Sequence, residues 1–337
     1  METGIGIIGF GFMGKTHLRA WLDAISEGAP AKVVAIYCPE DLTPSAAGNV
    51  DTGAEDEVDP VALGIKHYRE LDQFLEDPHV SAVSLCTPTD THVEIARQSL
   101  VAGKDVLIEK PVALEAESIE ELIGVVNDTG CKCMPAMCMR YWPGWSWLRD
   151  QVKTGQLGPV VTARFSRIGA IPGWSQDFYH DEKRSGGALT DLHIHDVDFI
   201  LSTFGKPASV FTTGQRNQML SSFLYPDGPQ SVTAEGAWYP AASYPFQMRY
   251  RVSFRDCVAD YDLAREGREL LLYKGEEVEE ISLPSTSGYQ QEIEHFLRWV
   301  RGESSSPPPT LSEAKEVARW IAAESESLEK GSEVSMG

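Results

Sequence analysis

The sequence contains no run of about eighteen uninterrupted apolar residues, the length a membrane-crossing helix requires. Its opening apolar stretch is broken by glycine and lacks the basic flank of a secretory signal, so no leader and no membrane contact are expected. Positive charge is scarce, with 29 Lys and Arg against 50 Asp and Glu and a net charge of −21. Nucleic acid and anionic membranes both require clustered basic surface, so neither is an expected partner. Cysteine is also sparse. Of the six, Cys131, Cys133 and Cys138 form a C-x-C-x4-C cluster, without the paired C-x-x-C knuckles or partner histidines of a zinc site. Thiols embedded in apolar strands fit this pattern better than metal ligands or disulfides, and the chain reads as cytoplasmic, with no metal.

The first fourteen residues carry the strongest local signal. Ile5, Ile7 and Ile8 form a buried-type strand that runs into Gly9-Phe10-Gly11-Phe12-Met13-Gly14, and a helical pattern follows through Trp21 and Ile25. In G-x-G-x-x-G, Gly9 permits the tight turn, Gly11 lets the backbone approach a pyrophosphate, and Gly14 lets helix pack on strand. Phe12 and Met13 belong to the same phosphate-binding turn, whose helix N-terminus offers N–H groups to an anion. A second strand, Val33–Cys38, ends where the dinucleotide pattern places an acidic residue for the adenosine ribose. Here that position is Cys38, and Glu40 or Asp41 just beyond can substitute. No Lys or Arg occurs between Val33 and Ile65, which favours NAD over NADP.

Alternating elements continue: a strand at Ile65–Tyr68, a helix through Leu71, Phe74 and Leu75, then a strong strand over Val80–Cys86. That strand ends in Thr87-Pro88-Thr89-Asp90-Thr91-His92, and loops at strand C-termini are where open α/β sheets bind ligands. Thr87 and Pro88 are expected to touch the cofactor, and His92 either touches it or caps the helix Val93–Leu100. The strand Val106–Ile108 leads into Glu109-Lys110-Pro111. Lys110 there is either placed beside a nicotinamide, with Glu109, or is a surface lysine of a loop. A helix over Glu115–Asn127 and a strand over Cys131–Ala136 complete a series that implies a doubly wound parallel sheet.

The pattern changes near Ala136–Arg140. Residues Arg140–Trp147 read as an aromatic loop. Strand-like runs then follow closely, at Val160–Arg167, Ser209–Gly214, Ser231–Tyr239, Phe246–Phe254, Cys257–Leu263 and Glu269–Tyr273. Strands without intervening helices predict a largely antiparallel sheet in a second, α+β domain. The expected division is 1–137 and 138–337, with helices at Gln290–Arg301 and Leu311–Leu328 that can pack back on the first domain.

One segment of the second half stands out, Gly186-Gly187-Ala188-Leu189-Thr190-Asp191-Leu192-His193-Ile194-His195-Asp196-Val197-Asp198. On a helix Asp191 and His195 share a face, and a carboxylate beside an imidazole suits proton transfer. A buried structural hydrogen bond is the competing reading. His193 and His195 would point about 200° apart on a helix, too far to chelate one ion. The paired glycines before them would let a ligand approach the backbone.

Together, the glycine turn, T-P-T-D-T-H at 87–92, E-K-P at 109–111 and G-G-A-L-T-D-L-H-I-H-D-V-D at 186–198 resemble the Gfo/Idh/MocA oxidoreductases, relatives of glucose–fructose oxidoreductase and myo-inositol dehydrogenase. The resemblance implies an N-terminal Rossmann domain and a C-terminal domain with an open antiparallel sheet, one face of which buries in a homodimer or homotetramer. It makes Lys110 the E-K-P lysine and Asp191 with His195 the D-x-x-x-H pair, the catalytic group meeting over one nicotinamide. It implies NAD(P)-dependent hydride transfer at a secondary alcohol of a sugar, cyclitol or polyol. Two alternatives go with it: tightly held NAD used for a net non-redox cleavage or epimerisation, and a nucleotide-binding protein without catalysis. Cys38 departs from the family's acidic residue, and His193 stands where a small residue is common. Arg140, Trp142, Trp174, Tyr179 and His180 are the expected substrate contacts, since aromatic faces with polar tips suit sugar rings.

Overall fold

The computed structural model describes residues 2–42, 58–173 and 175–336. The chain divides into two compact units, the first comprising Met1–Cys138, Pro172–Phe178 and Ser287–Glu316 and the second the remainder.

The first unit follows the alternation of the sequence: β1 (Thr3–Ile8), α1 (Phe12–Ser26), β2 (Ala31–Tyr37), β3 (Lys66–Tyr68), α2 (Leu71–Leu75), β4 (Ala82–Leu85), α3 (His92–Val101), β5 (Asp105–Glu109), α4 (Ala116–Thr129) and β6 (Cys133–Ala136). The sheet order is β3-β2-β1-β4-β5-β6 and every pairing is parallel. Helices cover both faces of such a sheet, which is why β4 and β6 are buried at every position rather than alternately. Trp21 of α1 is fully buried against the sheet and donates from Nε1 to Ser84 Oγ at 3.0 Å. A helix from the far end of the chain, Gly288–Val300, joins this unit beside α1, where Gln290 Nε2 donates to Glu27 at 2.9 Å.

The second unit begins with α5 (Pro143–Thr154), and this corrects the loop expected over Arg140–Trp147. Pro143 opens the helix, where its missing N–H costs nothing, and Trp145 turns inward. There follow β7 (Val160–Ala170), the short α6 (Gln176–Tyr179) and α7 (Glu182–Ser185), then α8 (Gly187–Asp191) and α9 (Ile194–Phe204). The strands β8 (Ser209–Gln215), β9 (Gln218–Leu224), β10 (Ser231–Tyr239), β11 (Gln247–Phe254), β12 (Cys257–Asp262), β13 (Leu270–Lys274) and β14 (Glu277–Glu280) come next. The helix noted above is α10, and α11 (Leu311–Lys330) and β15 (Val334–Ser335) close the order. β9, β14 and β15 add to the strands expected from the sequence.

The nine-stranded order is β14-β13-β12-β11-β7-β10-β9-β8-β15, antiparallel except where β10 runs parallel to β7. Burial alternates along β11 and β12, as it must when one face is packed and the other open. The packed face meets α5 and α9 through Trp145, whose ring centre lies 4.8 Å from Phe199 and 5.5 Å from Tyr250. The open face carries cross-strand ion pairs, Arg249–Asp262 and Arg251–Asp260, with Phe211, Leu220 and Leu224 exposed among polar residues.

Candidate functional site

In the first unit the glycine turn has the geometry its spacing demands. Gly9 adopts φ +86°, and a Cβ there would lie 2.8 Å from the Cys86 carbonyl oxygen. A Cβ on Gly14 would come within 2.1 Å of the Gly9 carbonyl oxygen, so only glycine lets α1 pack this closely on β1. Gly11 differs: a Cβ there meets nothing within 4 Å. That open space lies at the N-cap of α1, whose first turn carries no acidic side chain. It is the cradle a pyrophosphate fills. Phe12 is buried and Met13 half-buried in the first turn of α1.

Around this turn the strand ends are tied together by buried polar groups. Glu109 is 4% exposed; its Oε1 lies 2.9 Å from His17 Nε2 and its Oε2 accepts the Lys110 backbone N–H at 2.9 Å. Burial pushes its carboxyl up, but the His17 bond and the neighbouring charges hold it below the ordinary value. Lys110 itself is half-exposed, and its bond to Pro111 is cis. His92 is 1% exposed, with Nδ1 2.8 Å from the Pro111 carbonyl and Nε2 2.7 Å from that of Thr87. Burial lowers its pKa against the pull of these carbonyls. The ring therefore braces the 87–92 loop against the lysine loop. Thr87 is half-exposed and bonded to Thr91, and Pro88 is exposed.

At the end of β2, Cys38 is half-buried and Glu40 exposed. Residues 33–65 hold no Lys or Arg, but β3 pairs with β2 in parallel register and brings Arg69 to this edge. Arg69 donates from Nη1 to the Pro39 carbonyl at 3.3 Å and pairs with Asp41.

In the second unit the 186–200 segment is not one continuous helix. Ala188 O accepts from both Leu192 N and His193 N, and His195 N bonds Leu192 O rather than Asp191 O. α8 and α9 thus meet at a wide turn at Leu192–His193, with Asp191 the last residue of α8 and His195 the second of α9. The glycines are also explained from within. Gly186 and Gly187 have φ +73° and +69°, and a Cβ on Gly187 would lie 2.7 Å from Asn217 Oδ1.

Burial sorts the polar residues of this segment. From Ser185 to Ile200 every residue is buried except Asp191 and His195. His193 is fully buried, with Nε2 2.9 Å from Glu324 Oε1 of α11. Desolvation lowers its pKa, and the Glu324 carboxylate more than offsets that, leaving it raised. Asp196 takes Arg167 at 3.1 and 3.2 Å, the guanidinium lying 5.2 Å from the Trp145 ring centre. Asp198 takes Arg140 at 2.6 and 2.9 Å.

Several expected substrate contacts therefore have internal work. Arg140 is held bidentately by Asp198 with a side chain 12% exposed, and Trp142 donates its indole N–H to Tyr261 at 3.2 Å. Tyr179 is half-buried, edge-on to Trp238 at 5.4 Å, and His180 is exposed. Trp174 lies outside the described residues. Among those residues no group of three or more His, Cys, Asp or Glu can hold a metal ion, and no disulfide joins the cysteines. The anchoring role of His17, Glu324 and Arg167 was not legible beforehand; His17, one turn beyond Gly14, had the clearest local signal.

Fold and turn together define a Rossmann domain with a dinucleotide cradle, followed by an α+β sheet domain. Residues 3–137 match the oxidoreductase family with an NAD-binding Rossmann fold, and residues 145–243 match the GFO/IDH/MocA C-terminal domain. The chain belongs to the GFO/IDH/MocA family. It is 33% identical to inositol 2-dehydrogenase of Rhizobium meliloti (strain 1021) over 63% of its own length and 58% of that protein's. It is 30% identical to scyllo-inositol 2-dehydrogenase (NAD(+)) of Bacillus subtilis (strain 168), over 51% of this chain and 49% of that one. The alignments span about half the length of these relatives. Levoglucosan dehydrogenase, in complex with NADH and levoglucosan, superposes with a TM-score of 0.81 at 19% identity, covering 99% of each chain. That likeness shows the fold.

Proposed function

We propose that this protein is an NAD-dependent oxidoreductase acting on a secondary alcohol of a sugar, cyclitol or related polyol, or on the corresponding ketone. The observation that carries the reading is that Asp191 and His195 alone are half-buried in a segment, Ser185 to Ile200, that is otherwise wholly buried. His193, Asp196 and Asp198 are buried and held by Glu324, Arg167 and Arg140, whereas Asp191 and His195 keep the partial solvent access that proton transfer to a bound substrate requires. The family relationship and the relatives that act on inositols support the substrate class.

When bound, the nicotinamide supplies a hydride acceptor. His195 takes the proton of the substrate hydroxyl, and Asp191 orients the imidazole and accepts from a neighbouring hydroxyl. Lys110 stabilises negative charge developing on the oxygen. Its backbone N–H is held by Glu109, which fixes the strand end from which the side chain reaches out. Gly9, Gly11, Phe12, Met13 and Gly14 hold the pyrophosphate, and Thr87 and Pro88 line the cofactor's path. We assign self-association, as a dimer or tetramer, to the open sheet face that exposes Phe211, Leu220 and Leu224, and sedimentation of a Leu220→Glu variant tests it.

A panel of sugars and cyclitols with NAD+, followed by the absorbance of the reduced cofactor, tests the activity. NADH release with at least one polyol is expected. NAD+ binding with no turnover across the panel would leave only a nucleotide-binding protein.

A further inference from the structure

In a dinucleotide-binding βαβ unit the residue ending the second strand faces the adenosine ribose. A carboxylate there accepts from the 2′-hydroxyl of NAD, and a nearby Arg accommodates the 2′-phosphate of NADP. In this chain Cys38 fills that position, so the carboxylate that would repel a phosphate is absent from the strand end itself. Two cations lie around it. The Lys15 ammonium is within electrostatic reach of Cys38 and stands 5.7 Å from the Phe10 ring centre. Arg69 arrives through the register of the sheet edge: Ala35, Ile36 and Tyr37 lie opposite Lys66, His67 and Tyr68. Arg69 therefore follows β3 where Cys38 follows β2. The His67 ring, 2.8 Å from the Cys38 carbonyl, ties the two strand ends together.

Among the described residues, Glu40, Asp41 and Glu70 bring negative charge to this edge and oppose a phosphate. Asp41 holds Arg69 in an ion pair in which the side chains are 81% and 54% exposed. An exposed pair of this kind contributes little net, because water solvates both partners well. A phosphate monoester carries nearly two negative charges at neutral pH and can take a guanidinium bidentately, so it competes with a lone surface carboxylate for the same donor.

We propose that Arg69, backed by Lys15, forms a 2′-phosphate site, and that this domain accepts NADP as well as NAD. Asp41 accepts from the ribose hydroxyls of NAD; Arg69 exchanges Asp41 for the phosphate when NADP binds. The inference rests on the dinucleotide-binding reading of the first unit.

Isothermal titration of the full chain with NAD+ and with NADP+ tests it without relying on turnover, with thermal melts confirming that each variant folds. The two cofactors are expected to bind within about tenfold of one another. Arg69→Ala is expected to weaken NADP+ by about 10- to 100-fold, the effect of one charged hydrogen-bonding group, and NAD+ by no more than about threefold. Asp41→Asn is expected to weaken NAD+ and to hold or tighten NADP+. NADP+ binding more than about 100-fold weaker than NAD+, or variants that lower both alike, would overturn the 2′-phosphate site and leave the dinucleotide reading intact. Binding of neither cofactor would overturn both.

Discussion

His17 and Glu109, ninety-two residues apart, meet with Nε2 2.9 Å from Oε1, and the carboxylate's second oxygen accepts the Lys110 N–H. The helix that starts at the phosphate turn and the strand end that carries the lysine thus share one buried hydrogen-bonded chain. Glu109→Ala strands the His17 ring and releases Lys110, and should cost about 3–5 kcal/mol by urea unfolding. Because the folded carboxyl is held below its ordinary value, the stability it contributes is present above the unfolded value near about pH 4.3 and is lost as pH falls through the folded one. Glu109→Gln should flatten that acid limb.

His193 and Glu324 give the opposite slope. The raised pKa of His193 means that the folded state keeps its proton where the unfolded chain has released it. The pair's contribution is therefore complete below about pH 6.5, the ordinary histidine value, and is lost as pH rises through the higher folded value. Wild-type Tm should decline across that interval. His193→Gln should lose the decline, and a variant whose Tm–pH curve keeps the wild-type shape would refute the assignment.

The two glycines of the turn should separate stability from binding. Gly14→Ala forces a methyl group within 2.1 Å of a backbone oxygen and should cost about 2–4 kcal/mol. Gly11→Ala meets only open space, so its Tm should correspond to a change under about 1 kcal/mol, while NAD+ affinity falls about tenfold or more. Calorimetric melts and NAD+ titration of the two variants read the contrast.

Exposure divides the Asp–His segment in the same way. His195→Ala and Lys110→Ala should leave unfolding energies within about 1 kcal/mol of wild type, keep NAD+ binding and lower kcat at least about 100-fold. Asp196→Ala strands Arg167 in the core and should cost about 3–5 kcal/mol. Near-normal turnover in both His195→Ala and Lys110→Ala would reject their roles.

The parallel half of the molecule was legible because its signals are local. A strand buried on both faces is a short apolar run, a tight turn needs glycine, and strand and helix alternate within tens of residues. Ile5–Gly14, Val106–Lys110 and the helix after Gly11 could be read with no knowledge of the rest. Tertiary structure decided what such reading cannot reach. Four polar side chains within six residues, His193, His195, Asp196 and Asp198, look alike in sequence. Glu324, Arg167 and Arg140 pair with three of them in the interior, while His195, like Asp191, stays half-buried. Arg69 reached the end of β2 only through strand register. In each case the partner lies far along the chain, and the desolvation that decides a charged group's role exists only once the chain has folded around it.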